Sequence, residues 1–222
     1  MFSRIVGVWP ILAFAFAITI SAESGDWLII PGKRVGPITA ATTRADLVRI
    51  FGAKNVQDDE IVATDGGREW GTTVFGDQPS ISLSILWKDD SPDAHSRWIL
   101  FCRSSEPQNT CRWHTPDGIT FGTSLKTLEK INERKFKLNG FDWGYGGSIT
   151  SWNGGRLEIL SAGCGSVTIR LDPPPGAPSE ERTRLLEQVE GDTEFWSSDA
   201  AMQALNPVVD YLSISFQHCD KP

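Results

Sequence analysis

Ile38-Thr39-Ala40-Ala41-Thr42-Thr43-Arg44-Ala45-Asp46-Leu47-Val48-Arg49-Ile50 aligns without a gap on Ile119-Thr120-Phe121-Gly122-Thr123-Ser124-Leu125-Lys126-Thr127-Leu128-Glu129-Lys130-Ile131. Ile, Thr, Thr, Leu and Ile coincide, and Thr43/Ser124 and Arg49/Lys130 are similar. An internal repeat sets the architecture before any single element is assigned. In the first copy, Thr43-Arg44-Ala45-Asp46 has capping-box spacing, and Ala45, Leu47, Val48, Ile50 and Phe51 continue as a short amphipathic helix stopped at Gly52. In the second copy, a helix near 124–132 turns Leu125, Leu128 and Ile131 inward.

Outward from the repeats, apolar–polar alternation marks strands. Trp27–Ile30, Thr72–Phe75, Ser80–Trp87 and Arg97–Cys102 precede the second copy, the last three as a β-meander. The Ser80–Trp87 segment alternates cleanly enough to predict one wet face. Asp58-Asp59-Glu60 and Asp65-Gly66-Gly67 read as loop or turn. After the second copy come strands near 157–161, 167–171 and 212–216. Pro173-Pro174-Pro175-Gly176 opens an insertion, 173–207, with helices at 180–189 and 199–205. The fold class is α+β: two related helix-plus-antiparallel-sheet units in tandem, with a helical insertion before the last strand.

The boundaries expected are a secretory signal at 1–22, a first unit at 23–113 and a second at 114–222. Arg4 supplies a one-charge leader, Ile5 to Ile20 is uncharged, and Ile20-Ser21-Ala22 or Ala22-Glu23-Ser24 supplies a small-residue cleavage site. Pro10 and the short length argue against a retained span, so stable membrane insertion after cleavage is not expected. Loss of Arg4 takes the net charge from −7 to −8, a balance unsuited to nucleic acid. The expected location is periplasmic or secreted.

The four cysteines, Cys102, Cys111, Cys164 and Cys219, suit that compartment and allow three pairings. Antiparallel pairing of 167–171 with 212–216 brings Cys164 and Cys219 to one end, leaving Cys102 and Cys111 to close a small loop. In the chain-entropy model these bridges contribute about 4 and about 2.7 kcal/mol respectively.

Thr42 to Gly52 resembles the Gly-[Met/Thr]-[Ser/Thr]-x-x-[Glu/Gln/Asp]-[Val/Leu]-x-x-[Leu/Ile]-[Leu/Phe]-Gly signature of the β-lactamase-inhibitor-protein-like superfamily, which includes the BamE (SmpA/OmlA) lipoproteins. Ala41 stands where the signature has Gly, Gly122 to Asn132 is similar but ends in Asn, and the lipid-attachment Cys is missing. The resemblance implies a helix-loop-helix packed on an antiparallel sheet, and a tandem of two such units mirrors β-lactamase inhibitory protein.

Chemistry-bearing motifs are sparse. His95, His114 and His218 form no i,i+4 pair, and there is no Cys-x-x-Cys, so neither metal nor other cofactor is expected. Asp89-Asp90-Ser91-Pro92-Asp93 lacks calcium-loop spacing and reads as a solvated turn. Gly163-Cys164-Gly165-Ser166 is no nucleophile elbow. The stretch from Phe136 to Gly155 is the functional candidate, because exposed aromatics beside carboxylates suit protein hot spots and sugar faces. Asp142, Trp143 and Tyr145 are the candidate binding residues, with Phe136 and Trp152 assigned to the core. The resulting expectation is a non-enzymatic exported protein that binds another macromolecule, in the first place a protein. A carbohydrate-binding module and a hydrolase with scattered residues are the alternatives.

Overall fold

The structure, a computed structural model, describes residues 25–62, 67–102, 110–160 and 165–216. The N-terminal apolar run, Cys164, Cys219, His218 and Asp65-Gly66 lie outside the described residues. The architecture is α+β, with four α-helices and mostly antiparallel strands among the described residues.

A small sheet comes first, of β1 (Ile29–Ile30), β2 (Arg34–Val35) and β3 (Ile38–Thr39). Helix α1 (Arg44–Phe51) follows, started by Thr43, whose N–H and Oγ both donate to Asp46 Oδ2, at 3.0 and 2.9 Å. Those bonds lower the Asp46 carboxyl below its usual range, with Arg49 assisting. Only Leu47 of α1 is fully buried, and Val48, expected to turn inward, is 47% exposed.

The main sheet has six antiparallel strands. The first four run as a meander: β4 (Val56–Val62), β5 (Arg68–Val74), β6 (Leu83–Trp87) and β7 (Ser96–Phe101). Beyond β7 lie β12 (Val208–Ser215) and then β10 (Ser166–Asp172), so the sheet draws strands from both halves of the chain. The pairing expected of 167–171 with 212–216 is present, with Val167 opposite Ile214 and Ile169 opposite Leu212. Cys102 and Cys111 are disulfide-bonded, with Cα atoms 5.7 Å apart.

Helix α2 (Leu125–Asn132) is capped by Ser124 Oγ, which accepts from Thr127 N. It buries Leu125 and Leu128, and Ile131 packs against the same core. Strands β8 (Lys137–Asn139) and β9 (Ile149–Ser151) form a hairpin joined on its other edge by β11 (Glu194–Trp196). The Ser148–Arg170 bridge brings this third sheet against β10. The insertion also carries α3 (Glu180–Glu187) and α4 (Ala200–Leu205), the latter started by Asp199. One continuous core, including Phe101, Trp113, Phe136 and Trp152, lies beneath the helices and main sheet.

Several local readings are corrected. Asp58-Asp59-Glu60 lies within β4, not a loop. An edge strand leaves its outward charges solvated, so acidic side chains do not prevent pairing with β5. Strand β6 begins at Leu83, after a turn through Gln78–Ile81. Its outer face is not wet, because Leu86 is 2% exposed in an apolar strip with Ile61, Leu100, Trp98 and Tyr211. The 157–161 strand is instead a 3-10 helix over Arg156–Leu160. Leu157 and Leu160, spaced by one 3-10 turn, both reach the core, and Asn132 Oδ1 accepts from Leu157 N.

Candidate functional site

The hairpin β8–β9 presents the loop from Gly140 to Ser148, and its backbone is tied from three sides. Within the loop, Gly146 N donates to Trp143 O at 2.9 Å and Gly147 N to Gly140 O at 3.0 Å. The insertion holds its base, with Gly140 N on Thr193 O and Phe141 N on Val189 O. Strand β10 holds its far side through Leu171 N on Gly147 O, at 2.9 Å. Phe141 is buried below as an anchor. A loop fixed this way loses little further freedom when it binds.

On this frame the three candidate residues come together. Asp142 is exposed, in a left-handed conformation (φ 65°) that a short polar side chain tolerates. Trp143 is half-buried, and its Nε1 donates to Gly140 O at 3.1 Å. Tyr145 is 54% exposed and meets Trp143 edge to face, with ring centroids 5.5 Å apart. Phe136 and Trp152 are core residues, packed on each other.

Arg170 connects this loop to the outer face of the main sheet. Its Nε donates to Gly146 O at 3.1 Å and its guanidinium carbon lies 5.7 Å from the Tyr211 ring centroid. Tyr211 in turn packs on the strip of Trp98, Leu100, Leu86 and Ile61. Arg170 therefore links the backbone of the loop that carries Trp143 and Tyr145 to Tyr211, which packs with Trp98 on the apolar strip.

Carboxylates border this surface. Asp210 is the extra residue of a bulge in β12, because Arg170 faces Tyr211 while Leu171 faces Val209. Protein crowding on one side, and then the like charge of Asp172, push the Asp210 carboxyl up to about 6, although the residue stays exposed on its other side. Asp172 is raised by burial and by Asp142, against the opposing charges of Arg170 and Arg182. Sequence reasoning missed Arg170, Asp172, Asp210 and Tyr211. The signal was the break in alternation at Asp210-Tyr211, which marks the bulge.

The remaining motifs lie elsewhere. His95 bridges to Thr43 and His114 to Leu28. The Ser91 hydroxyl, and then its backbone N–H, hydrogen-bond Asp89 in a surface turn and lower its carboxyl. Among the described residues no group of three or more His, Cys, Asp or Glu is placed to hold a metal. No described helix is long and apolar enough to cross a membrane. Comparison of the chain with family models, curated proteins and solved structures finds no match.

Proposed function

We propose that this is an exported, non-enzymatic protein that binds another macromolecule, in the envelope or outside the cell, through the surface around Trp143, Tyr145 and Tyr211. The observation that carries this reading is the Trp143–Tyr145 pair, edge to face on a loop tied by backbone bonds from both β10 and the insertion. Rigid aromatics presented at low entropic cost are what a recognition surface needs. The disulfide at Cys102–Cys111 fits an oxidising compartment.

The same proposal includes two related units, in keeping with the resemblance to the β-lactamase-inhibitor-protein-like superfamily. Matching contacts support it. Thr39 N donates to Thr42 Oγ1 as Thr120 N does to Thr123 Oγ1, at 2.9 and 3.0 Å. Arg44 N donates to Ala94 O before β7, and Leu125 N to Pro207 O before β12. Arg97 is the extra residue of a bulge in β7, as Asp210 is in β12. Leu100 and Ser213, which have the same chain spacing as Arg97 and Asp210, pair directly across β7–β12. That pairing suits a two-fold relation between the halves.

Affinity capture from the native envelope fraction tests the binding reading, with the mature protein and its Tyr145→Ala variant as baits. A partner held by the first and lost by the second is expected. Equal retention by both baits removes this surface from the proposal.

A further inference from the structure

A second surface lies on the opposite, helix-bearing side of the main sheet. There α1, the β4–β5 hairpin and the β6–β7 turn enclose an open cleft of about 520 Å³. Ala45 and Val48 of α1, Val56 of β4 and Pro92 of the turn give it aliphatic walls. Its floor is polar but internally satisfied. Arg44 Nη2 lies 2.8 Å from Asp58 Oδ1, which also accepts from Thr72 Oγ1 at 2.9 Å. Both hydrogen bonds, led by that from Arg44, hold the Asp58 carboxyl below its usual range.

Two side chains of this region stand open. Trp70 is 72% exposed, the most open large apolar side chain among the described residues. It stands two residues from Thr72 on β5, hence on the same face as the cleft floor, opposite Glu60 of β4. Asp90, on the cleft wall, makes no ion pair or side-chain hydrogen bond among the described residues. The turn at 88–93 carries three aspartates against one lysine. On β4, Asp58 and Glu60 share the face of Trp70 and are paired with Arg44 and Arg68, while Asp59 lies on the opposite face, so the unpaired negative charge of the cleft is that of the turn. Three consecutive acids on an edge strand also repel a second copy of the same edge.

We propose that this cleft, with Trp70 at its rim, docks an extended lysine- or arginine-bearing segment of a partner protein. Charge complementarity selects the occupant. The aliphatic walls receive the methylene stem of the basic side chain, the Trp70 face receives the cation, and Asp90 supplies the opposing charge. An acidic segment meets like charge at the turn that bears Asp90.

Fluorescence anisotropy with a labelled decapeptide of alternating lysine and valine tests the proposal on the full-length, disulfide-bonded protein, with the glutamate–valine peptide as counterpart. The lysine peptide is expected to bind and the glutamate peptide not, with affinity falling as ionic strength rises past about 0.15 M. Trp70→Ala leaves net charge unchanged, so it separates this site from general attraction to an acidic protein. It is expected to weaken binding about fivefold or more, with an unchanged melting temperature. Asp90→Asn should weaken it as well. Lysine-peptide affinity equal in wild type and Trp70→Ala, equal binding of the glutamate peptide, or no lysine-peptide binding at low salt each overturns the proposal.

Discussion

Arg170 lies over the ring of Tyr211, 5.7 Å from its centroid, while its Nε holds Gly146 O at 3.1 Å. One side chain thus couples the outer face of the sheet to the candidate loop. Replacing it with Met keeps the aliphatic stem but removes the donors. Arg170→Met should cost about 1–2 kcal/mol of stability, as loss of charge-assisted hydrogen bonds does. It should also speed amide exchange at Gly146 and Gly147 and reduce partner retention. Unaltered exchange in the loop would show that the backbone bonds alone hold it.

Trp143 and Tyr145 should separate when truncated. Trp143 is half-buried and bonded to Gly140 O, so Trp143→Ala is expected to cost roughly 1–3 kcal/mol, below the 3–5 of a fully buried aromatic. Tyr145→Ala, on an exposed side chain, should cost less than about 0.5 kcal/mol while abolishing capture of the partner. Denaturant melts of both variants, read beside the capture assay, check this. A large stability loss at Tyr145 with capture intact would end its recognition role.

The two helix starts and the β10–β12 pairing were legible because their chemistry is local. Thr43 with Asp46, Ser124 with Thr127, and the alternation of Val167 to Leu171 each lie within a few residues. Asp142, Trp143 and Tyr145 were legible for the same reason, as aromatics and a carboxylate among glycines. What stayed hidden depends on distant partners. Strand β11 is three residues held extended by partners far away in the chain, through pairing with β8 and the packing of Phe195 on the core. Asp58-Asp59-Glu60 is strand because β5 pairs with it, against its own composition. Arg170, Tyr211 and Asp210 join the site only through a bulge and a bridge that no local pattern announces.

The bridge at Cys102–Cys111 should be worth about 2.7 kcal/mol in the chain-entropy model, so denaturant unfolding of the double Ser variant should show a stability lower by about that amount. We propose Cys164–Cys219 as the second bridge, on the strength of the antiparallel β10–β12 register. Non-reducing peptide mapping should recover both pairs. A peptide linking Cys102 to Cys164 or Cys219 would refute the assignment.

Asp210 gives the surface a pH dependence. Its folded value of about 6 lies above the roughly 3.9 of an unfolded aspartate, so the folded state binds more protons between these values. Stability therefore falls as pH rises from about 4 through about 6, and the penalty is complete above that window. Asp210→Asn should raise the melting temperature near pH 7.5 and leave it unchanged near pH 4. Parallel profiles for wild type and variant would show that the carboxylate is solvated in the fold.

The glycines of the candidate loop provide the sharpest contrast. Gly147 has φ 69°, and a Cβ there would lie 1.8 Å from Leu171 O, the backbone against which the loop is docked. No side-chain adjustment relieves a clash with a carbonyl, and the left-handed conformation is unfavourable for alanine in any case. Gly144, three residues earlier, has nothing within 4 Å of an added Cβ. Gly147→Ala should therefore cost about 3 kcal/mol or more and detach the loop from β10, with loss of capture. Gly144→Ala should retain both stability and capture, although it lies between Trp143 and Tyr145. Melting curves and capture with the two variants distinguish docking from mere loop composition. If Gly147→Ala folds normally and still captures the partner, the contact between the loop and β10 does not position the site.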